Sequence, residues 1–137
     1  MPRILALDYG GKRTGIAVTD PLKIIATALT TVPSNELLQF LQDYCQTEGV
    51  ESFVIGYPIS LKSQPTDGTK LVENFVEKLK ITFPTIPVHL IDERFTSKMA
   101  MQSMIASGMS KKNRRVKGNV DKVSAVIILQ DFLQQNS

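Results

Sequence analysis

Hydrophobic and polar positions along the chain fall into two kinds of block. Short runs rich in apolar and β-branched residues predict five strands, at residues 3–9, 14–20, 24–32, 51–57 and 87–93. Longer segments with apolar residues three and four positions apart predict helices. Their ranges are Pro33 and Ser34 to Gly49, Gly68 to Phe83, Thr96 to Gly108, and Val120 to about Gln134, the last capped by Asn119.

Each predicted helix carries one apolar stripe that can cover a sheet. For three of the helices the stripes are Leu37, Leu38, Leu41 and Cys45, then Leu71, Phe75, Val76 and Leu79, and finally Ala125, Ile128, Leu129 and Phe132. Three strands precede the first helix, and helices alternate with strands afterwards. This order predicts an α/β fold, a five-stranded mixed sheet with helices on both faces.

The bulk composition fits one globular domain spanning residues 1–137. The chain is 42% hydrophobic and 21% charged, which are the proportions of an ordinary globular protein. The N-terminus lacks the charged region and following apolar run of a signal peptide, and no apolar run is long enough to cross a membrane. With Cys45 as the only cysteine, no intramolecular disulfide can form. We therefore expect a soluble protein of the reducing cytoplasm with no membrane partner.

Positive charge is concentrated in one short segment. The formal net charge is only +3, but five cations lie between residues 111 and 117 with no acid before Asp121. Such a segment attracts phosphates and favours a nucleic-acid partner. A solvated charged loop would have the same composition, so the segment alone does not decide the function.

Three acidic residues from distant parts of the chain are candidates for one site. Asp8 ends the first predicted strand, Glu93 ends the fifth, and Asp121 falls in the first turn of the last helix. In open α/β sheets, ligands collect beyond the carboxyl ends of the parallel strands. Carboxylates brought that close repel one another unless a cation lies between them. We therefore predict a Mg²⁺ or Mn²⁺ site that hydrolyses phosphodiesters.

Each acid also has an ordinary interpretation. Asp8 could be a turn residue, and Asp121 could simply stabilise the start of a helix. Asp92 and Glu93 face opposite sides of an extended chain, so only one of them can enter a shared site. If the fourth strand separated the first from the fifth, Glu93 would start roughly 10 Å from Asp8.

Four motifs in order give the chain a family resemblance. They are ALDYGGKRTGIAVTD, IGYP with a later DGT, IDERFTS, and VDKVSAVIILQDFL. Together they resemble the YqgF family, also called RuvX, whose members are described as candidate pre-16S rRNA nucleases or Holliday junction resolvase-like proteins. The resemblance covers nearly the whole chain.

The resemblance implies an RNase H-like fold and nuclease activity on ribosomal RNA. The acidic residues of the family correspond to Asp8, Glu93 and Asp121, as catalytic residues and metal ligands. Gly10 and Gly15 fall in its glycine segment. We predict that the substrate is bound by Lys12, Arg13, Arg94, Thr96, Ser97, Arg114, Arg115 and Lys117.

Other functions stay open at this stage. The chain could be a DNA junction resolvase, which needs two active sites and hence a homodimer. It could also be a non-catalytic module that binds nucleic acid during ribosome assembly. We expect RNA rather than DNA as the partner, within a pre-ribosomal particle, and a monomer or homodimer.

Overall fold

The computed structural model describes residues 2–20, 22, 25–57, 67–92 and 117–135. Within these ranges the chain forms five strands, a short 3₁₀ turn at Ser34–Glu36 and three helices. The strands are β1 (Arg3–Tyr9), β2 (Arg13–Thr19), β3 (Ala26–Pro33), β4 (Val50–Tyr57) and β5 (Val88–Asp92). The helices are α1 (Leu37–Thr47), α2 (Asp67–Thr82) and α3 (Lys117–Gln135). The helix predicted at 96–108 lies outside the described residues.

The five strands form one mixed sheet in the order β3-β2-β1-β4-β5. Strands β1, β4 and β5 are parallel to one another, and β2 is antiparallel to both of its neighbours. The predicted hairpin of the first two strands is confirmed. Because β4 separates β1 from β5, the two strand ends that carry candidate acids are two strands apart.

The sheet is covered by helices on both faces, as predicted. Side chains from alternate positions of each strand point to opposite faces. On one face Leu5, Leu7 and Phe53 belong to a core with residues of α1 and α2. On the other face Ile4 and Ala6 belong to a second core, which α3 completes. Strand β1 is therefore buried on both sides, and its apolar residues alternate between the two cores.

The apolar stripe of α2 differs from the predicted one. Leu71 was expected in the core, but its side chain is 46% exposed, whereas Val72 is 1% exposed. Val72, Phe75, Val76 and Leu79 span about 100° of the helix circumference, while Leu71 lies just beyond that arc. Its Cδ1 lies beside the β1–β2 connection, 3.7 Å from the position that a Cβ on Gly11 would occupy.

Helix α3 begins three residues before the predicted start. Lys117, Gly118 and Asn119 are helical, so Asn119 is not an N-cap and Lys117 is not in the preceding loop. Asp121 is consequently the fifth residue of the helix rather than a member of its first turn. One Gly and one Asn disfavour a helix by only about 1 to 2 kcal/mol, which packing of the helix on the sheet can outweigh.

None of the described helices is long and apolar enough to span a bilayer.

Candidate active site

Asp8 lies at the carboxyl end of β1 on the face covered by α3. Ile4 and Ala6 precede it at even spacing and both belong to the core on that face. Its strand partner on β2 is Gly15, which is buried and has no side chain. The space above Gly15 is therefore left to Asp8 and to whatever approaches it from α3. The half-buried carboxylate stands at the edge of the sheet where ligands of open α/β sheets collect.

Hydrogen bonds from Ser34 connect the turn between β1 and β2 to the 3₁₀ turn that precedes α1. The Ser34 backbone N–H donates to the Lys12 carbonyl at 2.9 Å, and its hydroxyl donates to the Gly10 carbonyl. With that proton used, the buried Thr14 hydroxyl must be the donor in its 2.9 Å contact with Ser34 Oγ. These bonds fix the loop that follows Asp8. The sequence assigned Ser34 only to the start of a helix, and Thr14 had no predicted role.

Gly10 is required at its position because the backbone folds back on itself. A Cβ at Gly10 would lie 2.7 Å from the Arg13 carbonyl oxygen, closer than carbon and oxygen approach without strain. The same atom at Gly11 would meet only Leu71 at 3.7 Å, an ordinary contact. The two neighbouring glycines thus have different roles in the loop, although the sequence treats them alike.

Two predicted substrate-binding cations flank Asp8. Lys12 is exposed at the tip of the turn and forms no ion pair with any residue that the structure describes. Arg13 is half-buried and is two positions before Gly15, so it shares the face of Asp8 and α3. Both cations therefore lie at the edge of the sheet that carries Asp8, one at the tip and one on its face.

Strand β5 ends close to the level of Asp8. Across β4, Leu90 of β5 is level with Leu7 of β1. Asp92 pairs directly with Tyr57 of β4. Ile91 belongs to the core beneath α3. Glu93 follows Asp92 but lies outside the described residues, so the structure does not test its predicted place in the site.

Asp121 is the fifth residue of α3. It precedes Ser124 and Ala125 by three and four residues, and both of these are fully buried against the sheet. Near the other end of α3, the Phe132 ring lies 5.0 Å from that of His89 on β5. The His89 ring thus packs against α3. The Asp121 side chain itself is outside the described atoms.

Ser124 is a buried polar group. Its hydroxyl oxygen is inaccessible to solvent and forms no hydrogen bond with any group in the described part of the chain. Burying an unsatisfied hydroxyl costs about 1 to 3 kcal/mol, so such a group invites a functional explanation. It lies one turn after Asp121, and no feature of the sequence VSAV distinguishes it from a small packing residue.

Most of the other predicted site residues cannot be located. Arg94, Thr96, Ser97, Arg114 and Arg115 lie outside the described residues, and Lys117 is described only as the first residue of α3. Within the described set, no three His, Cys, Asp or Glu side chains form a group that could hold a metal. Of the three predicted ligands, only Asp8 has a side chain that the structure describes. The acidic cluster therefore stays a prediction.

Cys45 is not part of this site. Its half-buried side chain packs against the core that α1 and α2 share. Burial raises the pKa of its thiol, which lowers the fraction of reactive thiolate. Burial likewise raises the pKa of the neighbouring Tyr44 hydroxyl, although the charge of Arg3 partly opposes the effect. Cys45 is therefore a packing residue of α1, on the apolar stripe that the sequence predicted.

Comparison with known proteins identifies the family. The sequence profile of the RuvX family, described as Holliday junction resolvase, matches residues 2–135. The chain belongs to the RuvX family. A relative from Flavobacterium psychrophilum is 53% identical over 133 residues, covering 97% of each chain. One from Porphyromonas gingivalis is also 53% identical over 133 residues, covering 97% of this chain and 96% of its own. Both are named as candidate pre-16S rRNA nucleases.

The solved structures show the fold of this RuvX-family chain. RuvC of T. thermophilus, determined with a Holliday junction substrate, matches with a TM-score of 0.53 at 12% identity. The match covers 99% of this chain and 96% of RuvC. The fold is RNase H-like, as the sequence motifs implied.

Proposed function

We propose that this RuvX-family chain is a Mg²⁺- or Mn²⁺-dependent nuclease that hydrolyses phosphodiesters at the 5′ end of pre-16S rRNA. The observation that carries the proposal is the position of Asp8, a carboxylate at the carboxyl end of a buried strand, on the sheet face that α3 covers. The names of the relatives, candidate pre-16S rRNA nucleases, support the substrate.

Three acidic positions share the same side of the sheet in this proposal. Asp8 follows Ala6 at even spacing, and Glu93 follows Ile91 in the same way, and both apolar residues lie beneath α3. From its spacing to Ser124 and Ala125, Asp121 would lie on the stripe of α3 that faces the sheet. The two-strand separation of β1 and β5, roughly 10 Å, is more than two carboxylates can close by themselves. It leaves room for cations between them.

The residues fit a hard divalent metal. Their ligand atoms are carboxylate oxygens, which Mg²⁺ and Mn²⁺ prefer, and the unpartnered Ser124 hydroxyl one turn after Asp121 could bond to a water or carboxylate at the site. Asp8, Glu93 and Asp121 would hold the metal. When bound, it would lower the pKa of water and stabilise charge on the departing oxygen.

The other proposed residues bind and orient the nucleic acid. Lys12 at the turn tip and Arg13 on the face of Asp8 would contact backbone phosphates on either side of the scissile bond. Arg94, Thr96 and Ser97 follow Glu93, while Arg114, Arg115 and Lys117 precede Asp121. Each group would therefore bring phosphates to a candidate ligand.

Cleavage by an Asp8→Asn variant tests the proposal. The substitution keeps the shape of the side chain but removes its charge, so we expect RNA cleavage in Mg²⁺ or Mn²⁺ to fall at least about 100-fold. Asp43→Asn is the matched control, because Asp43 is exposed on α1 and, within the described part of the chain, accepts a hydrogen bond only from Gln39, at 3.0 Å. Unchanged cleavage in Asp8→Asn, from preparations free of other nucleases, would rule out the mechanism.

The two acids whose side chains are not described have a separate test. Glu93→Gln and Asp121→Asn should each reduce cleavage as strongly as Asp8→Asn. Loss of any one ligand would weaken binding of the metal whose charge offsets the repulsion between the other two carboxylates. Glu77→Gln on the exposed side of α2 is the control for Glu93→Gln. If one of these variants keeps full activity, that residue is not a ligand.

Junction resolution is the second candidate, favoured by the family description and by the fold of RuvC. It requires two sites and hence a homodimer. Sedimentation at working concentration, with a four-way DNA junction tested beside RNA, separates the two functions. A monomer that cleaves only RNA supports the first. We further propose that residues 1–137 act as one nuclease domain on a pre-ribosomal particle in the cytoplasm.

A further inference from the structure

A concavity lies on the face of the sheet opposite to that of Asp8. It has a volume of about 360 Å³ and opens beside the β1–β2 turn, where Gly11 contributes backbone. Its lining side chains are Tyr9, Ser34, Asn35, Leu38, Phe75 and Lys78. The volume is at the lower end of the range for small-ligand pockets, about 300 to 1,000 Å³. It is sufficient for one nucleotide.

The pocket combines an aromatic wall with two free polar groups. Tyr9 stacks on Phe75 with ring centroids 4.5 Å apart and an angle of 15° between the rings. The Lys78 ammonium and the Asn35 amide form no bond to any group in the described part of the chain. None of the described lining residues is acidic. A flat π surface, an amide and an unpaired cation are the groups that bind a base and its phosphate.

Tyr9 links this pocket to the candidate active site. It follows Asp8 directly in β1, so the two side chains point to opposite faces of the same strand end. Among the residues that the structure describes, the backbone between the two faces at this edge of β1 and β2 is the turn that carries Gly10, Gly11 and the exposed Lys12. A nucleic-acid strand crossing that turn would pass from one side to the other within one or two nucleotides.

We propose that the pocket binds one unpaired nucleotide of the RNA substrate, next to the phosphate positioned at Asp8. The base lies against Tyr9 and bonds to Asn35, and a phosphate contacts Lys78. Lys12 contacts the backbone as it crosses the turn. This inference rests on the proposed nuclease function and adds a requirement to it, namely a single-stranded segment beside the cleavage site.

Binding by pocket variants provides the first test. In an Asp8→Asn background, which preserves the substrate, the double substitution Asn35→Ala and Lys78→Ala should weaken binding of RNA with a single-stranded 5′ extension by about 10-fold. Binding of fully paired RNA should change by less than about 2-fold, because it offers no free base. Lys80→Ala, an exposed cation on the same helix outside the pocket, is the control. Equal loss on both RNAs would overturn the proposal.

Tyrosine fluorescence provides an independent test. The chain has no tryptophan and three tyrosines, so Tyr44→Phe with Tyr57→Phe leaves Tyr9 as the only emitter. A single-stranded oligoribonucleotide should quench that emission, and the double substitution should shift the titration midpoint about 10-fold. Absence of quenching would overturn the proposal. A free mononucleotide that binds as tightly as the oligonucleotide would also overturn it, because the pocket would then be a free-nucleotide site.

The outcomes separate this inference from the nuclease proposal. Metal-dependent cleavage that is unaffected by the pocket variants rejects the pocket and retains the nuclease. Quenching of Tyr9 by oligoribonucleotide, in a protein that cleaves no RNA with any divalent metal, rejects the nuclease and retains a binding site.

Discussion

Gly10 and Gly11 are adjacent glycines for which the structure predicts opposite responses to alanine. At Gly10 the new methyl group would lie 2.7 Å from the Arg13 carbonyl oxygen. An unstrained contact needs roughly 0.5 Å more, and this carbonyl belongs to the backbone, so the turn itself must move. Forcing an extra carbon into a packed position costs about 1 to 3 kcal/mol. At Gly11 the methyl group would meet Leu71 at 3.7 Å, with no strain.

Alanine also changes the unfolded state, and this change raises the free energy of unfolding instead of lowering it. Alanine restricts the unfolded chain more than glycine and stabilises the folded protein by about 0.4 to 1 kcal/mol where the backbone conformation permits. Gly11→Ala should therefore be neutral or stabilising, whereas Gly10→Ala should lose about 1 to 2 kcal/mol after this offset. For 137 residues the entropy of unfolding is about 0.3 kcal/mol per degree, so the two variants should differ in Tm by roughly 7 °C.

Urea titration and thermal melting followed by far-UV circular dichroism measure both variants. Cleavage by Gly10→Ala should also fall by at least about 10-fold, because shifting the turn moves Asp8. Equal stability of the two proteins would refute the argument that the Arg13 carbonyl restricts position 10. A destabilised Gly11→Ala would refute the assumption that its contact with Leu71 is unstrained.

Three further predictions concern other parts of the molecule. Ser124→Ala should raise the free energy of unfolding by about 1 kcal/mol in urea titrations, because it removes a buried hydroxyl without a partner, and a loss of stability would contradict this. Mg²⁺ at 100 times its Kd should stabilise the wild type by about 2.7 kcal/mol in calorimetry but leave Asp8→Asn unchanged, and equal stabilisation would place the ion elsewhere. The raised pKa of Cys45 makes its alkylation at pH 8 slower in the folded protein than in urea. The stability from burying its neutral thiol is then complete below about pH 8.5 and declines at higher pH, and a stability that rises there would have the wrong sign.

The hydrophobic pattern predicted the fold correctly where residues that are close in the sequence are also in contact in the structure. The hairpin of β1 and β2 was predicted from two apolar runs around a glycine turn, and its register pairs Asp8 with Gly15 only seven positions away. The α3 stripe was equally clear, because Ala125, Ile128, Leu129 and Phe132 repeat at helical spacing. Strand order was only a conditional expectation, since pairing of β1 with β4 joins residues more than forty positions apart.

The site was predictable in chemistry but not in its supporting contacts. A carboxylate ending a buried strand marks Asp8 without any structure, because such a charge is costly without a partner. By contrast, the Ser34 hydroxyl holds the turn by hydrogen bonds to the Gly10 carbonyl and the Thr14 hydroxyl. No sequence pattern predicts these contacts. Leu71 shows the same limit: periodicity assigns a residue to a helix face only to within about one position, and the neighbouring Val72 took the buried place.

The antiparallel half of the sheet has a consequence for the order of folding during synthesis. Strands β1, β2 and β3 pair only with near neighbours in sequence, so the whole meander can close once about 35 residues have left the ribosome, at low loop-closure cost. The parallel strands must wait for α1 and α2 to be translated, and α3 arrives last to shield the face of Asp8. We predict that nascent chains arrested after α1 already protect the β1–β2 amides from hydrogen exchange, while the apolar face under α3 still binds chaperones.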